Sequence, residues 1–380
     1  MQHRKLYRNT LSALLLAAGL ASPAMAAITI GGSMETDILY EGSNADGFSD
    51  NAQLDVEPRI FFQGDDKLDN GSSVIWKIWT GAENYRTGKD NDINGGNGPA
   101  NWGNREAWGG WKGDWGQLRF GKIYSPSYLV LDWPYAAQGG SMHVEEVGVI
   151  GFNVENSIVY DSPNLNGFTV SAMYSLRTQQ NNTEGGGDEY FADVTAGYAG
   201  HNATVNVGYQ QAKPRLQSGS ASDDVDKFGF IAGGYTFGDS GWTVRGGYKW
   251  WDCSASAHAN AAAGTDQSLD DAVGSCNYFT GPEQQQAWVQ GLYTTGKHSF
   301  AVGYNYFWGA KDINGNRIDD SDSQTLLARY TYALSKNTSA YFDTRFSTND
   351  TNGTIGATYG TSYKPGTDSY RLLIGTWTGF

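Results

Sequence analysis

Charged side chains that recur at every second position are the residues whose types could do chemistry here. Arg59, Lys77, Arg119, Arg245, Lys249, Arg329, Arg345 and Arg371 lie on the polar face of segments whose other face is apolar, and Glu35, Asp37, Glu57, Asp193 and Asp343 join them. The chemistry of such a set is not bond-making. Charges on a wetted wall orient dipoles and hold ordered water, so they act on solutes that pass rather than on solutes that are transformed. This face reads as basic on balance. Bond-making would need a nucleophile beside a histidine with an orienting group, and the sequence offers little of that. His143 and His258 fall in long polar connections without a convincing serine, and His201 and His298 in short turns. The reading is therefore against an enzyme, and no cofactor is expected. The stretch Asp312-Ile313-Asn314-Gly315-Asn316 has a calcium-loop spacing but lacks the downstream glutamate, so no metal is expected either.

These charges need strands to position them. In residues 201–210, Ala203, Val205, Val207 and Tyr209 share one face while Thr204, Asn206, Gly208 and Gln210 share the other. The same alternation predicts strands near 28–41, 53–63, 73–85, 104–112, 116–124, 156–162, 167–176, 188–199, 202–212, 226–237, 241–251, 284–294, 298–309, 323–334, 338–347 and 369–380. Short, turn-rich links alternate strictly with long ones. An even number of half-apolar strands, with short turns at one end and long loops at the other, is the signature of a transmembrane β-barrel. The strand near 226–237 fits least well, because Phe228, Phe230, Ile231 and Phe237 do not share one parity and leave its register open.

Residues 1–26 stand outside the pattern. Arg4, Lys5 and Arg8 precede an apolar run and then Ala24-Met25-Ala26, which reads as a secretory signal cleaved after Ala26, leaving a barrel of residues 27–380. No stretch approaches the ~20 apolar residues of a spanning helix. A membrane chain must then close as a barrel, where every backbone group is paired. A soluble β-sandwich is the bland alternative for any single segment, but sixteen behind an export signal argue against it. The formal net charge of −14 becomes −17 once the three basic residues of the leader are gone, so a nucleic-acid partner is not expected. Cys253 and Cys276 share one long connection. For an exported protein a disulfide is favoured over a metal site, since two cysteines with only His258 nearby fall short of four ligands.

Three stretches resemble the trimeric Gram-negative porins, especially those of neisserial and Burkholderia type. They are Tyr160-Asp161-Ser162-Pro163 within residues 156–167, Arg105-Glu106-Ala107-Trp108 running on to Gly116-Gln117-Leu118-Arg119-Phe120-Gly121-Lys122, and Tyr332-Ala333-Leu334-Ser335-Lys336-Asn337-Thr338. The resemblance implies an all-β, 16-stranded antiparallel barrel in the outer membrane, assembled as a homotrimer. It also implies that the third long loop, residues 125–155, folds into the lumen. Phe380 matches the terminal aromatic residue of the family, whereas Thr376, Thr378 and Val159 depart from its pattern.

By the same resemblance, Asp132, Glu145, Glu146 and Glu155 of that loop face Arg59, Lys77, Arg119 and Lys122 of the wall across the narrowest section. The implied function is a water-filled channel for passive diffusion of small hydrophilic solutes and ions. A solute-specific channel with Trp79 and Tyr341 as a sugar track is the alternative, as is a barrel acting mainly as an adhesin or receptor. The acidic loops carry Asp46, Asp50, Asp90, Asp92, Asp319, Asp320 and Asp322 among others, and they would meet divalent cations and lipopolysaccharide.

Overall fold

The computed structural model describes residues 27–81, 102–137, 144–145, 147–176, 190–213, 224–263, 276, 278–357 and 364–380. Sixteen strands form: β1 (Ala27–Ser43), β2 (Asn51–Lys67), β3 (Ser73–Gly81), β4 (Glu106–Gly113), β5 (Gly116–Tyr124), β6 (Asn153–Asp161), β7 (Phe168–Leu176) and β8 (Tyr190–Gly200) make the first half. The second half is β9 (Ala203–Lys213), β10 (Asp226–Thr236), β11 (Trp242–Asp252), β12 (Glu283–Thr295), β13 (His298–Lys311), β14 (Ser323–Ala333), β15 (Thr338–Asn349) and β16 (Ser369–Gly379). Each pairs antiparallel with its sequence neighbours, and β1 closes on β16 from Ser33↔Gly379 to Ser43↔Ser369. Closure leaves no open edge, which is what a sheet in lipid requires.

The turns explain the register. His201 and Asn202 both have positive φ, 53° and 62°, directly between the paired Gly200 and Ala203. That is the two-residue hairpin whose twist suits antiparallel strands. Outward positions are apolar and exposed, as with Ile30, Ile38, Leu54, Val302, Leu326 and Ile374. Aromatic residues gather at both ends of this band. Phe168–Tyr198 and Trp242–Tyr293 mark the short-turn end, and Tyr174–Tyr190, Tyr209–Trp250 and Tyr306–Trp308 the long-loop end. Such girdles are where amphipathic rings meet headgroups. No helix among the described residues is long and apolar enough to cross a membrane; the strands do so.

The boundaries that differ most from the sequence reading are those of β2, which runs four residues further, to Lys67, and of β6. Strand β6 begins at Asn153, three residues early, and a register shift opposite Gly121 and Ile123 admits one extra residue near Asn156, whose φ is 52°. Glu155 is therefore a strand residue and not part of the loop. Residues 82–85, read as strand, lie outside the described residues.

Strand β10 now has a register. Phe228, Phe230 and Ala232 point inward and are buried, while Ile231, Tyr235 and Phe237 point outward and are exposed. Both faces are apolar because the inner one is covered from inside the barrel. Ile123, Leu131, Tyr135, Val144, Val147, Phe191, Phe228, Trp251 and Trp288 belong to one buried cluster that lies between the inserted loop and the wall.

Candidate functional site: the lumen and its inserted loop

The third loop, residues 125–152, enters the barrel from β5. Ser125 makes its neck: its N–H donates to Phe152 O at 2.7 Å and its Oγ donates to Gly151 O at 2.6 Å, pinching the two limbs together. A short helix follows, α1 (Pro126–Leu131), with Ser125 as N-cap and proline in its first turn. A π-helical turn over Asp132–Ala137 continues it.

A loop inside a barrel buries carbonyls that need donors, and the wall supplies them. Arg245 donates to Pro134 O at 2.7 Å, Gln290 to Tyr135 O at 2.6 Å, and Lys249 Nζ to Val144 O at 2.6 Å and Val147 O at 2.5 Å. On β8, Asp193 accepts from Ser127 N and Oγ at 2.8 and 2.6 Å, and from Gln210 Nε2 at 3.1 Å. Gln210 in turn accepts from Ile150 N at 2.9 Å. Tyr135 packs edge-on against Trp288, with burial pushing its phenol up to about 12, so it stays neutral at ordinary pH. The loop thus lies along β8, β9, β11 and β12. Arg245 and Lys249 point inward as the alternation predicts, but they hold the loop.

The opposite side of the lumen is lined by ion pairs. Arg59 pairs with Glu57 and, at 3.5 Å, with Glu35; Lys77 meets Glu106 at 2.5 Å; Arg119 meets Asp161 at 2.7 Å. These pairs run along the wall, between positions on the same or neighbouring strands. They keep contact with solvent: the side chains of Arg59 and Lys77 are 20% and 19% exposed. Further round, Arg371 meets Asp343 at 2.5 Å, and Arg345 lies 3.6 Å from the same carboxylate.

Sequence reasoning missed inward carboxylates on this side, among them Glu41, Asp55, Glu106 and Asp161. They offset the basic excess expected for the wall. The alternation that placed Arg59 and Arg119 inward places them too, so parity alone was the available signal. Asp161 explains a motif as well, because its carboxylate accepts from Arg119, from Gln117 at 2.8 Å and from Ser171 at 2.6 Å.

Lys122 and Glu155 lie elsewhere. Lys122 pairs in register with Ala107, on the outward parity of Phe120, and its Nζ meets Glu155 Oε1 at 3.2 Å near the long-loop end of β5 and β6. Asp132 closes α1, its N–H donating to Tyr128 O, and Glu145 is buried in the return limb of the loop. Glu146 lies outside the described residues.

The two rings of the supposed sugar track have occupied faces. Lys77 and Arg105 sit 4.2 and 5.0 Å from the Trp79 ring, and Arg329 sits 3.9 Å from that of Tyr341. The Tyr341 hydroxyl donates to Asp37 and Glu35 at 2.7 and 2.9 Å.

Cys253 and Cys276 form a disulfide, both buried. In the seventh loop, Asp312 accepts from the N–H groups of Asn314 and Asn316 and from the Asn316 amide, which holds its carboxyl below the usual carboxylate range.

The sequence model of the family described as Gram-negative porin matches residues 11–352. A chitoporin from Vibrio furnissii is 26% identical over 226 residues, 56% of this chain and 57% of that protein, so the match spans little more than half the length of that curated relative. Among solved structures, the anion-selective porin from Comamonas acidovorans superposes with a TM-score of 0.65 at 16% identity, covering 93% of this chain and 100% of that one. OmpT of Vibrio cholerae in its trimer form gives 0.63 at 14% identity, over 93% and 99% of the two chains. OmpF of Salmonella typhi gives 0.60 at 15%, over 93% and 98%. At these identities the solved structures show a shared fold.

Proposed function

This chain belongs to the Gram-negative porin family, and on that premise we propose that it is an outer-membrane channel for passive diffusion of small hydrophilic solutes and ions. One observation carries the reading. The inserted loop is fixed to β8–β12, while Arg59 and Lys77 on the opposite wall stay partly exposed inside a closed barrel. Charges left in contact with lumen water favour hydrated solutes over apolar ones.

Arg59, Lys77 and Arg119, with Asp132 and Glu145 of the loop and, on its sequence alone, Glu146, are the residues we assign to the constriction. Lys122 and Glu155, on the outward parity, are left out of it. The trimeric form of the Vibrio cholerae relative supports a homotrimer, and lipopolysaccharide and outer-membrane lipid are its surroundings. Cleavage after Ala26 starts the mature chain. Planar-bilayer recording of the purified protein tests the channel: stepwise conductance in groups of three is expected, and a silent protein would end this reading. Light scattering and N-terminal sequencing of the same preparation check the trimer and the cleavage.

The chitoporin match favours a sugar-specific channel as the second reading. The occupied faces of Trp79 and Tyr341 speak against those two rings as its track. Competition of a chitin oligosaccharide with the ion current separates the readings, since a diffusion channel shows no saturable block.

A further inference from the structure

The return limb of the third loop packs against the end of β11 and against the disulfide that follows it. Lys249 donates to the carbonyls of Val144 and Val147, and the Trp251 ring lies against Gly148. Gly148 has a φ of 76°, and a Cβ there would come within 2.4 Å of Trp251 Cδ2. Both the left-handed backbone and the close approach call for glycine. The disulfide lies against the same glycine. Cys276 Sγ lies 3.4 Å from Gly148 O, and both cysteines belong to the same buried cluster as Val144, Val147 and Trp251.

The disulfide is itself anchored to the barrel. It stands at the start of the sixth loop, residues 253–282, whose helix α2 (Ser254–Ala263) is fixed at two points. Ser254 N donates to Asp252 at 3.1 Å, and Ser256 N to the buried Asp226 of β10 at 3.0 Å. The Cys253 N–H donates to Pro282 O at 2.8 Å, next to the first residue of β12. The Cys253 end of the bridge is therefore fixed to β10, β11 and the start of β12, and its Cys276 sulfur rests on the loop limb.

We propose that the Cys253–Cys276 disulfide positions the constriction: with Lys249 and Trp251 of β11 it forms a clamp that holds the return limb of the third loop at Gly148. The proposal rests on the channel reading above for its consequence, that an extracellular loop sets the bore. A bridge placed only to close the sixth loop would have no reason to be buried against the third. Lys249, Trp251 and Gly148 are positioning residues of the same device.

The test uses the full mature chain, folded and inserted, with Cys253→Ala and Cys276→Ala together. Removing a cross-link of this kind shifts a local equilibrium by at least about tenfold. Amide exchange of the peptide over residues 144–152 is therefore expected to quicken at least about tenfold in the variant, with the β14 peptide, residues 323–333, unchanged. In bilayers the variant is expected to show a broader spread of open levels and more open-channel noise than the parent. Gly148→Ala, which keeps the bridge but forces the limb off Trp251, is expected to reproduce both effects and serves if the cysteine variant does not fold. Unchanged exchange over 144–152 in either folded variant overturns the clamp. Uniform quickening that includes β14 also overturns it, since the bridge would then act on the barrel as a whole. A parent that exchanges as expected but carries no current would sink the channel reading and leave the clamp decided by exchange alone.

Discussion

The two sides of the lumen use the same residue types for different ends. Along β8–β12, Arg245 and Lys249 donate to loop carbonyls, and the apolar cluster around Trp251 and Trp288 fills the space behind them. Along β2–β6, Arg59 and Lys77 pair with carboxylates of their own wall and keep a face toward solvent, while Arg119, paired with Asp161, is buried. A buried cation aimed at backbone carbonyls is a structural fastener, because removing it leaves acceptors without donors. A partly exposed pair is a source of field, because its charge still acts on what passes. What a lumen charge does is therefore decided by its partner, not by its sign or its parity.

The largest effect should come from weakening the fastened side. Lys249→Met leaves the carbonyls of Val144 and Val147 without their donor, and is expected to cost about 2–5 kcal/mol in denaturant unfolding of the inserted barrel. Asp193→Ala comes next, at about 2–3 kcal/mol, since Ser127 and Gln210 lose a shared buried acceptor. If either folds with parental stability, the contrast between the two sides is wrong. On the open side, Arg59→Gln is expected to cost less than either by the same assay, because its side chain keeps contact with lumen water. A loss as large would place Arg59 among the fasteners.

Smaller still is Lys122→Gln. Its outward register predicts an unchanged reversal potential across a salt gradient, and a clear shift would return it to the lumen. The seventh loop gives the smallest effect. Its hydrogen bonds depress the folded pKa of Asp312, so the ordering it provides is present above the ordinary carboxylate range and disappears as pH falls through the lowered value. Protection of the Asn314 and Asn316 amides, taken relative to their intrinsic exchange at each pH, should persist at neutral pH and fall only below the ordinary carboxylate range. Loss of that protection near neutrality would mean that another group holds the loop.

Most of the barrel was legible because lipid imposes a rule on every second residue. Strands such as β7 and β13, with unbroken apolar outer faces, were placed within a residue or two at each end. β10 was opaque for a physical reason: the loops bury Phe228 and Phe230 from within, so neither face has to be polar and the alternation vanishes. The disulfide was readable from two cysteines behind an export signal. Its seat against Gly148 was not, because nothing in the spacing says which loop it covers.

The fasteners were hidden for a similar reason. A lysine that donates to carbonyls looks in sequence like any inward lysine, since its acceptors are backbone. Lys122 shows the opposite error. It lies in a stretch that looks like a basic ladder, yet strict alternation from Phe120 already assigns it to the outside.

The reversal potential of a bilayer carrying Arg59→Gln together with Arg119→Gln, measured across a potassium chloride gradient beside the parent, tests the central claim most directly. If the exposed wall pairs set the field of a water-filled bore, neutralising the two arginines leaves Glu35, Glu57 and Asp161 uncompensated and moves the potential toward cation preference. A potential identical to the parent's, in a variant that still conducts, would mean that this wall does not govern what passes.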